Sequence, residues 1–205
     1  MAIITNYATL QTAIGDYLAR SDLATFLPNF TQNAEQTLYR SLRIRAMETA
    51  LSGTISGGVL ALPADFLELK FAYVNSTPVQ SLDKVPPDQI YARWPVRSGA
   101  AELPLAISTE GANFIFGPYP GDYAVAGIYY ARLIALGAAN TTNWFTANAP
   151  DLLLYGSLLE AESFILGDPR IPLWKAYYDQ AYRSVEMQER RGKYASGGSI
   201  AQRLG

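Results

Sequence analysis

Few residues in this chain have the type and spacing for chemistry. Glu160 and Glu162 stand two apart in the apolar stretch PDLLLYGSLLEAESFIL, Pro150 to Leu166. Paired carboxylates are what glycoside hydrolysis and hard-cation binding use. On a helix each residue advances by ~100°, so these two point roughly 200° apart. Opposite faces cannot share a proton, a metal ion or a scissile bond. Glu160 shares its face with Gly156 and Ser163, small residues that let another backbone approach. The expectation is structural: Glu160 meets an arginine such as Arg40 or Arg43, or a hydroxyl, and Glu162 faces solvent or a subunit contact. Asp65 and Glu68 in PADFLEL fall in a turn leading into a strand. The SGG triplets at Ser56 and Ser196 read as a turn and a tail, not as phosphate loops. The stretch YARW, Tyr91 to Trp94, could stack a base or a sugar, or form a short helix covering the open end of a sheet.

The composition narrows the chemistry further. The chain has 205 residues, no histidine and no cysteine. Disulfides, thiolate or imidazole metal sites, and Ser-His or Cys-His nucleophiles are therefore excluded. No motif nominates a cofactor. Only 17% of residues are charged against 49% hydrophobic, a low charge content for a protein that keeps its whole surface in water. The 14 tyrosines suit interfaces, where an apolar ring carries a polar tip. A net charge of −2 gives no global attraction to nucleic acid. No basic, apolar-cored leader and no apolar run of ~20 residues is evident, so neither a signal peptide nor a membrane span is expected.

The elements follow from periodicity. TNYATLQTAIGDYLARSD places Leu10, Ala13, Ile14, Tyr17 and Leu18 at helical spacing behind Thr5 or Asn6 as cap. A second helix starts near Pro28 with Phe30, Ala34, Leu38 and Leu42 as its stripe. Arg40, Arg43 and Arg45 lie near or beyond its end, either complementing the helix dipole or forming a basic patch that faces DNA. The period then changes to strands. GTISGGVLALP reads as a hairpin about Ser56-Gly57-Gly58, FLELKFAYV as a strand, and LPLAISTEGANFIFGP as a tight hairpin about Glu110-Gly111. YAVAGIYYARL supplies another strand, and PPDQIYARW a short helix. Helices return at Pro150 and again in IPLWKAYYDQAYRSVEMQERR, where Leu173, Tyr177, Ala181, Ser184 and Met187 form one side. Beyond Arg191 no core-forming pattern continues.

The fold class expected is α+β. An antiparallel four-helix bundle is built from residues 1–49 and 136–191, with a small antiparallel β-barrel or sandwich lobe at 50–135 inserted between its halves. Residues 192–205 form an extended, flexible C-terminal tail.

Several stretches together resemble the head-to-tail adaptor (connector) proteins of tailed bacteriophages, particularly those with short tails. They are YATLQTAIGDYLARSDL, AEQTLYRSLRIRAME, LPADFLELK, TNWFTANAPDLLLYGSLLEAESFILGDPRIPLW and the basic, glycine-rich end. The resemblance implies a structural virion protein without catalytic activity, made in the host cytoplasm and located at the head–tail interface. It implies a dodecameric ring beneath the portal protein that continues the DNA channel towards a tail nozzle or other tail protein. The partners implied are the portal, the tail protein, further copies of the chain and the genomic DNA in the lumen, with no membrane. On this resemblance the portal-binding residues are Arg190, Arg191, Lys193, Tyr194, Ile200, Arg203 and Leu204, and Arg40, Arg43 and Arg45 are candidates for the channel. The alternative is a glycan- or peptide-binding module on a helical base, with Tyr91, Trp94 and Tyr119 as its platform.

Overall fold

The computed structural model of the chain describes residues 3–194. It divides into two compact units, one up to Ala46 and from Leu133 onwards, the other Met47–Arg132. The first is helical and the second carries a seven-stranded sheet, making the fold α+β.

In the helical unit, α1 (Tyr7–Leu18) starts at Asn6 by a reciprocal cap. The Asn6 side chain accepts the Thr9 N–H and the Thr9 hydroxyl accepts the Asn6 N–H, each at 3.0 Å. Pro28 sits in the first turn of α2 (Leu27–Ser41), where its missing N–H costs nothing. The buried stripe of α2 is Leu27, Phe30, Ala34 and Leu38, flanked by buried Thr31 and Glu35. Asn143 caps α4 (Trp144–Asn148) in the same reciprocal manner with Thr146. α5 (Pro150–Glu160) buries Leu152, Leu153, Leu154, Gly156, Ser157 and Leu158. Such consecutive burial means packing on more than one side, and α1, α2, α4 and the last helix, α6 (Ile171–Tyr194), all contact α5. At Gly156 a Cβ would lie 3.3 Å from both Ala34 Cβ and Tyr178 Cε2, so the absent side chain is what lets α2 and α6 close on α5.

The sequence reading expects an antiparallel four-helix bundle. The contacts instead describe a hub, with α5 as the centre and the other helices gathered on it. A bundle helix needs one apolar stripe; α5 is apolar around most of its circumference and takes the central place. The face of α6 also differs from expectation. Trp174, Ala181, Val185 and Glu189 are buried, while Leu173, Tyr177 and Met187 are 50%, 42% and 56% exposed. The period was legible and the phase was not. α6 also runs through Gly192 to Tyr194, past the end expected at Arg191.

The sheet unit contains β1 (Glu48–Thr54), β2 (Val59–Ala61), β3 (Phe66–Val74), β4 (Gln80–Lys84), β5 (Ala106–Glu110), β6 (Asn113–Gly117) and β7 (Ala124–Ala131). Their spatial order is β1-β7-β3-β4-β5-β6-β2. Every pairing is antiparallel except the short parallel match of β4 with β5. The hairpin expected over GTISGGVLALP is corrected: β1 and β2 are the two edges of the sheet, paired with β7 and β6. They meet only through a turn, where Ser56 and Val59 exchange backbone hydrogen bonds of 2.9 and 3.2 Å. Gly57 and Gly58 take φ of +58° and +82° in that turn, a region that L side chains rarely adopt. The turn draws the edges together and leaves the sheet nearly closed. Leu51, Ile55, Val74, Ile107, Phe114, Phe116 and Val125 fill its interior. A short helix, α3 (Pro87–Arg93), is followed by Trp94, which packs with Ile90 against Ala106 and Ile115 on the outside.

Candidate functional site

The two glutamates that open the question do not form a site. α5 ends at Glu160, and Glu162 begins a separate single 3-10 turn, exposed to solvent. Among the described residues Glu160 joins no ion pair, so the expected bond to Arg40 or Arg43 is not formed. Its charge is instead felt by Tyr178. Burial raises the pKa of that hydroxyl first, with Tyr182, Asp179 and Glu160 adding to the rise.

The carboxylate held inside the helical unit is Glu35, which sequence reasoning passed over. It is 1% exposed and accepts hydrogen bonds from the Leu136 N–H at 3.2 Å and from Asn143 Nδ2 at 2.8 Å. Burial pushes its pKa up, while hydrogen bonds from Leu136, Asn143 and Tyr39 pull it back. The segment that returns the chain to the helices is pinned at further points. Tyr39 Oη donates to the Leu133 carbonyl at 3.2 Å and the Tyr7 N–H to the Thr141 carbonyl at 2.6 Å. Asn143 thus caps α4 with its oxygen and holds Glu35 with its nitrogen. This is an architectural use of a carboxylate. No local signal in the sequence marked it, since Glu35 only flanks the apolar stripe of α2.

The three arginines at the end of α2 have three different surroundings. Arg40 is exposed on the last turn. Arg43 donates to the Tyr39 and Leu42 carbonyls at 2.8 and 2.9 Å, satisfying acceptors that a helix end leaves open. Arg45 offers its backbone N–H to Glu189 Oε2 at 2.8 Å, with its Nε 3.4 Å from the same oxygen. Arg190 and Arg191 are exposed on α6, and Lys193 and Tyr194 belong to its final turn. Ile200, Arg203 and Leu204 lie outside the described residues.

The aromatic platform of the alternative reading is occupied from within. The Arg97 guanidinium stands 5.7 Å from the centre of the Tyr91 ring and 6.0 Å from that of Tyr119. It is held there by a 2.6 Å hydrogen bond to the Phe116 carbonyl. Trp94 turns to the Ile90 cluster, and the Tyr91 hydroxyl donates to Glu110 at 2.8 Å. Tyr91 and Tyr119 therefore each give one ring face to the protein's own cation. Among the described residues no group of three or more acidic, histidine or cysteine side chains is placed to hold a metal, and no helix is long and apolar enough to cross a membrane.

Buried polar groups here cap helices, pin loops and lace α6 to its neighbours. The chain belongs to the SU10 adaptor protein family, whose model matches residues 5–203. That makes it a structural adaptor protein of the bacteriophage virion, as the resemblance in the sequence implied. No curated protein matches it.

Proposed function

We propose that this adaptor assembles as a ring, dodecameric in the complete virion, beneath the portal protein of a short-tailed phage. There it continues the DNA channel towards the tail. The observation that carries this reading is the family match over nearly the whole chain, residues 5–203. The low charge content and the tyrosines support it, because ring subunits bury both flanks against neighbours. The C-terminal segment docks on the portal. Exposed Arg190 and Arg191 lead into it, and its sequence adds Lys193 and Arg203 to that positive charge. Of the arginines near the end of α2, Arg40 is the one proposed to face the DNA, since Arg43 and Arg45 are engaged by carbonyls and by Glu189.

Mass photometry of portal mixed with this protein tests the reading. The expected result is a discrete complex heavier than the portal ring by a set of adaptor subunits, even where the free adaptor is monomeric. Only unbound species across a wide concentration range would overturn it. Because α6 continues to Tyr194, the informative truncation removes 195–205. That variant keeps its circular dichroism spectrum and melting transition and loses most of its portal binding.

A further inference from the structure

α6 is tied at two heights to the chain that leaves α2. Tyr182 Oη donates to the Ser41 carbonyl at 3.0 Å. Two turns further along α6, Glu189 Oε2 takes the Arg45 N–H at 2.8 Å. The two partners differ in surroundings: the Glu189 side chain is 8% exposed and that of Arg45 54%. A carboxylate so placed has lost its water and keeps its hydrogen bonds only while this turn of α6 stays where it is. The Arg45 guanidinium lies against the next turn, over Gly192. A Cβ at Gly192 would come within 2.5 Å of the guanidinium carbon. Glycine weakens a helix relative to alanine, and here the space of the missing side chain is filled by the arginine.

From these contacts we infer that Arg45, Glu189 and Gly192 form a clamp that positions the C-terminal segment for docking. The clamp holds the last turns of α6, which would otherwise fray as helix ends do. The last described turn of α6, up to Tyr194, is therefore held in a fixed place. A docking segment with a fixed base loses less freedom on binding than one carried on a frayed end, and a ring repeats that advantage in every subunit. The three residues act through the segment and need not touch the portal. The inference rests on the reading that this segment docks there.

Gly192→Ala separates a clamp from mere helicity. If α6 only has to be helical, alanine leaves the protein at least as stable and portal binding unchanged. The clamp requires the opposite in function. The new Cβ displaces the guanidinium, and portal affinity falls roughly tenfold with the melting temperature unchanged or raised. Glu189→Gln, which removes the charge facing Arg45, weakens portal binding in the same direction. Glu186→Gln, exposed on the same helix, leaves it unchanged. A spin label on Gln188→Cys is unique in a chain with no cysteine, and its mobility rises when Gly192→Ala is added. Parent-like portal affinity in folded Gly192→Ala overturns the clamp, and so does parent-like affinity in Glu189→Gln should the alanine variant fail to fold. Parent-like portal binding after removal of 195–205 overturns the docking reading itself, which keeps the two failures apart.

Discussion

Glu35 is a carboxylate held almost wholly out of water, 1% exposed. Burial raises its folded pKa above the usual glutamate range. The folded state therefore binds its proton more tightly than the unfolded chain does. The sign follows: the stabilisation is fully present below the unfolded pKa and is lost as pH rises through the raised folded value. Glu35→Gln removes this titration. Thermal melts from about pH 4 to about pH 8 should show the parent losing stability relative to the glutamine variant as pH rises. A difference that is flat with pH would contradict the burial argument. Glu35→Ala strands the Leu136 N–H and the Asn143 amide and should cost about 1–3 kcal/mol, read by urea unfolding. The sequence could not single out this carboxylate, because two of its three partners stand 101 and 108 residues further along. A glutamate in a helix is ordinarily exposed, and only the fold supplies the donors that make burial tolerable. Arg45 is hard to read for a related reason: Glu189, which takes its backbone N–H, stands 144 residues further along.

Among the elements, α5 is the one on which the helical unit depends. Leu158 is 0% exposed. Leu158→Ala should cost about 2–5 kcal/mol through the cavity it leaves, and Leu158→Asp should leave the unit unfolded because its charge has no partner. Glu162→Gln, on the exposed turn beyond the helix, should stay within about 0.5 kcal/mol of the parent. Equal, large losses of melting temperature in Leu158→Ala and Glu162→Gln would refute this assignment of faces. Much of the element list was legible: the strand FLELKFAYV, the turn at Glu110-Gly111, the Asn6 cap of α1 and the start of α5 at Pro150 follow from local chemistry. What eluded the sequence was choice among equals. α6 offers two stripes of the same period, and Trp174 with Val185 is buried where Leu173 with Met187 is not. The Ser56–Val59 turn was read correctly as a turn, but each strand beside it pairs elsewhere, β1 with β7 along its whole length from Glu48 to Thr54. Turn chemistry is local, whereas strand partnership is decided by the closing of the whole sheet.

At the scale of the molecule, the sheet unit lies within the helical unit's sequence, and its first and last strands are partners. Glu48 stands opposite Tyr130 in the β1–β7 ladder, so the two ends of the insertion are ~5 Å apart. Such a unit can be lifted out without stretching what it leaves behind. Joining Ala46 to Leu133 through a short glycine-serine turn should give a helical protein that melts cooperatively, followed by circular dichroism at 222 nm. A non-cooperative, weakly helical product would show that the helices need the sheet in order to fold. The converse piece, Met47–Arg132, has neighbouring termini suited to backbone cyclisation. Heredity can use the same adjacency: a segment whose ends meet can be swapped as a cassette, one recombination event replacing the sheet while every helix keeps its register.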